Sequence, residues 1–186
     1  MTNASPASDP VAGSPPNPAV SDIEALAARI TALEDERAVR ALIERYGHLI
    51  DYGRDGEWVS AFAANGAYEL VFRCGVPPAM AEAFPHAIVA PDRFRIEGAA
   101  ALASFIAVHT NAPDAWHKHV VVDPQIAIDG DAATAESYFL RIDLIEGRRE
   151  ILSFGRYRDR MVRSADGAWR FAERVMEVES APGDPA

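Results

Sequence analysis

The chain has 186 residues, of which 49% are hydrophobic and 25% are charged, and these values fit one globular domain with a sizeable core. Its formal net charge of -10 argues against nucleic-acid binding, which needs a basic face, and against binding to an anionic membrane surface. No apolar run approaches the roughly 20 residues that span a bilayer. The single Cys74 excludes an intrachain disulfide framework and is consistent with a reducing cytoplasm.

Both ends of the chain have compositions that predict disorder. Residues 1–21 are rich in Pro, Ala, Ser and Asn, and cannot bury enough apolar surface to fold. Residues 180–186 are rich in Pro and Gly, and we expect a flexible C-terminus there. The sequence therefore predicts a single folded domain over residues 22–179.

The first part of this predicted domain has helical periodicity. Apolar residues recur at helical spacing over residues 23–33 and again over residues 39–50, which predicts two helices or one bent helix. Ser21 is the predicted N-cap of the first helix. Tyr46 lies in the middle of the second apolar stripe, whereas Asp51 falls at the edge of the buried face.

The middle of the chain is more irregular. A helix is predicted over residues 56–64, and Asn65-Gly66 predicts a turn into a strand over residues 67–72. Residues 73–93 contain four prolines among apolar side chains, and we expect this segment to form a lid over a pocket.

Strand patterns dominate the rest of the chain. After a short strand and a helix over residues 99–109, turn signals separate four strands in meander order, over residues 116–128, 132–145, 150–163 and 168–178. Helices followed mainly by an antiparallel sheet are typical of an α+β fold, and not of a doubly wound α/β fold.

Several short motifs, taken together, resemble a known family. They are Tyr-x4-Asp at residues 46–51, a short helix with Trp58 and Phe62, the His-Val-Val-Val-Asp run at residues 119–123, Gly155-Arg156-Tyr157, and Asp166-Gly167-x-Trp169. Their order and spacing resemble the SnoaL-like branch of the nuclear transport factor 2 (NTF2)-like superfamily over about residues 22–179. The resemblance implies a cone in which a strongly curved, mainly antiparallel sheet wraps three to four helices around one deep apolar pocket.

The resemblance also implies candidate catalytic residues. Dehydratases and a dehydrochlorinase of this superfamily use an Asp at the helix end and a His on a strand as a proton-abstracting dyad, which correspond to Asp51 and His119. Tyr46 and Arg174 match pocket residues of those relatives, and we expect them to polarise the substrate or stabilise a leaving group. In such a dyad the carboxylate holds the imidazole tautomer and stabilises the imidazolium.

These matches lead to the prediction of a cofactor-independent lyase that eliminates water or another small group from an apolar aromatic or polycyclic alcohol. Isomerisation or cyclisation through the same proton abstraction, and a non-catalytic binding or assembly protein, are the alternatives, because a fold alone does not determine function. The predicted substrate-binding residues are mostly apolar and are Trp58, Phe62, Phe72, Phe84, Tyr138 and Met176.

The candidate residues also have simpler interpretations. Asp51 could serve only as a cap, His119 could be a core histidine, and Arg174 could only pair with a sheet carboxylate such as Glu136. His117 and His119 share a strand face and could bind a metal together with Asp51, since two His and one carboxylate form a known ligand set. The relatives named above use no metal, and we predict neither metal nor cofactor.

A partner chain is also expected, because the outer face of such a curved sheet is commonly covered. A homodimer is the first prediction and a homotrimer the second.

Overall fold

A computed structural model of the protein describes residues 18–180, with side chains from Ser21 onward. Disorder was predicted for residues 1–21 and 180–186, of which residues 1–17 and 181–186 lie outside the described residues. Residues 18–21 are helical and Ser180 ends a strand, so the prediction is wrong for these residues. The chain divides into two compact units, residues 1–34 and residues 35–186. The single domain predicted over residues 22–179 includes parts of both units and stays a prediction.

Helices are observed near each predicted helical segment, but residues 62–64, predicted as helix, lie in a strand, and two short helical segments occur within residues 73–93, where no helix was predicted. Of the two alternatives left open for residues 23–50, a single helix is observed, and it begins before Ser21, which is therefore not its N-cap. The described helices are α1 (Pro18–Ile50), α2 (Asp55–Ser60), α3 (Pro78–Ala83), a 3-10 turn (Pro85–Ala87) and α4 (Ala99–Ile106). Within residues 18–180, no helix has both the length and the apolar character needed to cross a membrane.

Seven strands of the described residues form one sheet. They are β1 (Phe62–Phe72), β2 (Ile88–Ala90), β3 (Arg93–Glu97), β4 (His117–Asp129), β5 (Ala132–Ile145), β6 (Arg148–Arg163) and β7 (Trp169–Ser180). Their order across the sheet is β2-β3-β1-β7-β6-β5-β4. Only the β1–β7 pair is parallel among the described strand pairs. The predicted α+β class, with a mainly antiparallel sheet, is confirmed.

The start of β1 corrects one prediction. Asn65-Gly66 does not form a turn before the strand but lies inside β1, where the register with β7 shifts between Phe62 and Ala67. A Cβ atom on Gly66 would lie 2.8 Å from the carbonyl oxygen of Phe171. Glycine is needed here because the two backbones approach closely at an irregularity in the strand. Glycine serves this purpose as well as forming turns, so Asn-Gly alone did not distinguish the two.

The core of the second unit forms between α1 and the concave face of the sheet. The apolar stripe predicted on α1 is buried, and it comprises Val39, Leu42, Ile43, Tyr46, Leu49 and Ile50. Each large side chain of this kind contributes about 1.5–3 kcal/mol when it is fully buried. The stripe therefore fixes the rotation of α1 and with it the position of Asp51 at the helix end.

Candidate active site

A close approach of α1 to β4 builds the site. A Cβ atom on Gly47 would overlap the carbonyl oxygen of His119, so only glycine allows the helix to lie this near the strand. Gly47 has a helical backbone, and its role here is to remove a side chain rather than to adopt an unusual conformation. As a result, Asp51, one turn further along the chain, reaches His119.

Asp51 and His119 form a short, multiple contact. The Nδ1 atom of His119 lies 2.6 Å from Oδ1 of Asp51. The backbone N–H of His119 donates to the same carboxylate, at 3.1 Å from Oδ2 and 3.3 Å from Oδ1. The two side chains are 3% and 5% exposed. With the carboxylate at Nδ1, the basic nitrogen of a neutral His119 is Nε2.

Two opposing effects act on the pKa of the Asp51 carboxyl. Burial raises the pKa, but the hydrogen bonds and the charge interaction with His119 outweigh burial and leave the pKa below its ordinary value. Asp51 is therefore an ionised carboxylate at neutral pH, which is the form that can stabilise an imidazolium.

Two further histidines surround His119. The ring centroids of His109 and His117 lie 5.7 and 5.4 Å from that of His119. Burial lowers the pKa of His109 to about 4 and also lowers the pKa of His117. Both rings are therefore neutral at pH 7, and neither adds a positive charge beside the His119–Asp51 pair.

These residues include a set of potential metal ligands. Donor atoms of Asp51, His117 and His119 all lie within 4.8 Å of one another. The Nε2 atom of His117 is 3.7 Å from Asp51 and has no hydrogen-bond partner among the described residues. The donor set of two imidazoles and one carboxylate fits a transition metal, although the sequence interpretation predicted none.

A cavity of about 220 Å³ opens beside His119. Its wall is mostly apolar, and its polar members are Tyr68, His109, His119, Arg141 and Ser153. The predicted lid segment contributes Pro77 and Met80 to the same wall. A mostly apolar cavity with a few convergent polar groups is the usual form of a small-molecule site.

Tyr46 and Arg174, predicted as polarising groups, do not line this cavity. Tyr46 is 1% exposed and donates a 3.0 Å hydrogen bond to the hydroxyl of Tyr68, which does line it. Arg174 is completely buried, and its guanidinium carbon lies 4.0 Å from the Tyr46 ring centroid and 3.8 Å from that of Tyr157. Both residues therefore lie behind the cavity wall.

Arg174 pairs with a sheet carboxylate, as its simpler interpretation expected, and this carboxylate is Asp159 on β6 rather than Glu136. The Nε atom of Arg174 lies 3.5 Å from Oδ1 of Asp159, and both side chains are 0% exposed. None of the guanidinium nitrogens or carboxylate oxygens has a hydrogen-bond partner among the described residues. Burial raises the pKa of Asp159 to about 6, although the positive charge of Arg174 lowers it.

The predicted substrate-binding residues divide into two groups. Phe72 and Met176 line the cavity. Phe84 packs behind the wall against Phe94 and Phe105, with ring centroids 5.8 and 5.9 Å apart.

Trp58 and Phe62 pack against each other in the core, with ring centroids 4.9 Å apart, and do not line the cavity. Tyr138 lies on the other face of the sheet and is 62% exposed. Its neighbours Ser137 and Phe139 are buried, so strand alternation directs Tyr138 away from the cavity.

The polar wall residues other than His119 were not predicted. Arg141 is the cation of the wall, and its guanidinium forms two hydrogen bonds of 2.9 and 3.0 Å with Asp143. Strand alternation could have identified Arg141, because it lies two residues after Phe139 and therefore points to the same face of β5. It also pairs directly with His119 on β4. Tyr68 has a weaker signal, as an aromatic residue in a strand segment, residues 67–72, that is apolar except for Glu69.

Comparisons with known proteins agree with this fold. The model of a family described as the SnoaL-like domain matches residues 31–175. No protein of curated function matches the chain.

Solved structures are also similar. One is an NTF2-like protein with a cystatin-like fold from Novosphingobium aromaticivorans, which is 23% identical and has a TM-score of 0.65. The match covers 86% of this chain and 90% of that protein's chain. Another is a protein of unknown function from Mycobacterium tuberculosis, which is 26% identical and has a TM-score of 0.62. The match covers 83% of this chain and 78% of that protein's chain.

A third is the β subunit of a putative aromatic-ring-hydroxylating dioxygenase from Novosphingobium aromaticivorans. It is 20% identical, has a TM-score of 0.63, and covers 81% of this chain and 92% of its own. At this identity the similarity is one of fold.

Proposed function

The chain belongs to the SnoaL-like domain family, as its motifs predicted, and we propose that it is a cofactor-independent lyase. In this proposal it eliminates water or another small group from an apolar, aromatic or polycyclic alcohol. The observation that supports the proposal best is the 2.6 Å contact between Asp51 and His119 at the wall of a mostly apolar cavity.

His119 is the proposed general base. Its Nε2 atom takes a proton from a substrate carbon next to a carbonyl, and the electron pair of that C–H bond forms the new double bond. The hydroxyl group on the next carbon then leaves with the electron pair of its C–O bond and takes the proton from Nε2 of the imidazolium, so that water departs and His119 returns to its neutral form. Asp51 keeps the proton of neutral His119 on Nδ1 and stabilises the imidazolium that forms.

Arg141 and Tyr68 are the proposed polarising groups, because both line the cavity together with His119. The Arg141 guanidinium can stabilise the negative charge that develops on the substrate carbonyl oxygen, and the Tyr68 hydroxyl can donate to a departing oxygen. Tyr46 then acts as a positioning residue, since it holds the Tyr68 hydroxyl, and Arg174 packs on the Tyr46 ring without a role in the chemistry.

The cavity also limits the substrate. Its volume of about 220 Å³ lies below the range of about 300–1,000 Å³ that is typical of ligand sites. A substrate of one or two rings therefore fits the cavity better than a steroid does. Its apolar wall favours a hydrocarbon ring, and the Arg141 side favours a carbonyl or another oxygen that becomes anionic.

Two other functions have specific support. The same base could drive isomerisation or cyclisation, which also begins with proton abstraction. An assembly role is supported by the similar dioxygenase β subunit and by apolar side chains exposed on the convex face of the sheet, among them Val122, Tyr138 and Phe154 at 40, 62 and 45%. This face also supports the homodimer or homotrimer predicted from the sequence.

Turnover assays on aromatic and bicyclic β-hydroxyketones test the proposal. Elimination produces a conjugated enone that is detected by its ultraviolet absorbance, whereas isomerisation produces a product of unchanged mass. Binding without either product would support a ligand-binding protein and contradict the lyase. Metal analysis of the purified protein accompanies the assay, because a stoichiometric metal on Asp51, His117 and His119 would replace the dyad mechanism.

A further inference from the structure

The first unit carries an apolar stripe that the proposed function does not use. In the α1 helix, Ile23, Leu26, Ile30 and Leu33 are 68, 55, 48 and 66% exposed. Their spacing of three, four and three residues places them on one side of the helix. Leaving four large aliphatic side chains in water forgoes the stabilisation that their burial would provide.

The spacing is that of a coiled coil. With Ile23 and Ile30 at heptad position a, Leu26 and Leu33 fall at position d, the two positions that face the partner helix. We propose that residues 21–34 pair with the same residues of a second copy of this chain, as a parallel two-stranded coiled coil.

The residue types at a and d specify the number of strands. Isoleucine at a combined with leucine at d favours two parallel strands over three or four. Both a positions of this segment carry isoleucine, and both d positions carry leucine. The pattern therefore fits a second copy better than a larger bundle.

Charges beside the stripe fit the same arrangement. Arg29 occupies position g and Glu34 occupies position e of the next heptad. In a parallel dimer, a g residue lies beside the e residue five positions later in the partner, so Arg29 of each copy faces Glu34 of the other. The remaining flanking e position is Ala27, which adds no like-charge contact.

The length of the segment predicts the strength of association. Two heptads bury less surface than the roughly 800 Å² per partner of a standard stable interface. The dimer should therefore form in a concentration-dependent way rather than be permanent. The pairing does not depend on the dyad, so its failure and that of the proposed function can be distinguished.

Sedimentation velocity of the full chain over a concentration series tests the proposal. The wild-type protein should pass from monomer to dimer, and Ile30→Lys should raise the dimer Kd about tenfold or more by burying a charge in the seam. Ala28→Lys, at the outward position f of the same helix, is the matched control and should leave the Kd unchanged. Circular dichroism checks that both variants remain folded.

Charge reversal and crosslinking test the orientation. Arg29→Glu should weaken the dimer, and adding Glu34→Arg should restore it. In a Cys74→Ser background, Leu26→Cys should form an interchain disulfide, because a parallel pair places each Leu26 opposite its counterpart, whereas Ala28→Cys should not. A wild-type protein that stays monomeric, or a dimer whose Kd Ile30→Lys leaves unchanged, would overturn the proposal.

Discussion

Asp51 with His119, and Asp159 with Arg174, are two buried pairs of ionisable side chains with opposite surroundings. The first pair is held by hydrogen bonds, the shortest of 2.6 Å, and His119 lines a cavity. The second pair is 3.5 Å apart, completely buried and stacked among aromatic rings. Burial of charge alone therefore does not identify a reactive group. The distinguishing features are the mostly apolar cavity that His119 lines and the complete burial of the Asp159 and Arg174 side chains, so our proposal places chemistry at the first pair and packing at the second.

The largest change in stability should come from removing the cation of the second pair, Arg174. Arg174→Met leaves Asp159 buried without its partner, and should lower the free energy of unfolding by about 3–5 kcal/mol. Urea unfolding measures this loss, and the folded fraction should keep its turnover per molecule. Arg160→Met on the convex face, where Arg160 is 68% exposed, is the control and should change stability by at most about 0.5 kcal/mol.

A second substitution sharpens that result. In Arg174→Met/Asp159→Leu, no charge remains in the aromatic cluster, and much of the lost stability should return. If Arg174→Met instead abolishes turnover while the unfolding free energy stays at the wild-type value, Arg174 acts in the chemistry and the comparison fails.

The matching change in the first pair is Asp51→Asn. It keeps the shape of the side chain but removes the charge that stabilises imidazolium, so kcat/KM should fall by about 10²–10⁴. Steady-state kinetics on an active substrate measures this change. Equal activity in the variant would show that Asp51 only fixes the end of the helix.

The pH dependence of stability should reveal the second pair. The pKa of Asp159 is raised to about 6 in the folded protein from an ordinary value near 3.8. The folded state then holds its proton more tightly, so this group contributes stability below pH 4 that is lost as the pH rises to about 6, by about 3 kcal/mol. Asp159→Asn should remove this loss, as denaturant titrations at pH 4 and pH 7 can measure. If the unfolding free energy changed equally with pH in the wild-type and Asp159→Asn proteins, the raised pKa of Asp159 would be contradicted.

The smallest effect is expected from Gly47→Ala. The added Cβ must push α1 away from β4, which should cost about 1–3 kcal/mol and lower activity by separating Asp51 from His119. Gly56→Ala is the matched control, because a Cβ atom at Gly56 in α2 meets no atom within 4 Å. A Gly47 variant with wild-type activity would mean that the dyad does not depend on this close approach.

Much of the fold could be predicted because it depends on local patterns. Helical periodicity placed the buried stripe of α1, and turn signals separated the last four strands close to their observed ends. The pairing of Asp51 with His119 came from the family resemblance, since 68 residues separate the two and no periodicity relates them.

The cavity wall was predicted less well, for a physical reason. Alternation identifies which residues share a strand face, but it does not say how deeply each side chain lies. Arg174 shares a face with Met176, yet the rings around it seal it from the cavity that Met176 lines. On β5, the prediction chose Tyr138 and missed Arg141. The two positions are three residues apart, and side chains an odd number of positions apart on a strand point to opposite faces of the sheet.

Exchange of a substrate α-proton with solvent deuterium tests the central claim, that His119 is a base held by Asp51, most directly. In this measurement a cyclic ketone that lacks a leaving group is incubated in D₂O, and mass spectrometry or NMR follows deuterium uptake. The wild-type protein should catalyse exchange, and His119→Ala should slow it by about 10²–10⁴ while still binding the ketone. Equal exchange rates in the two proteins would contradict the account.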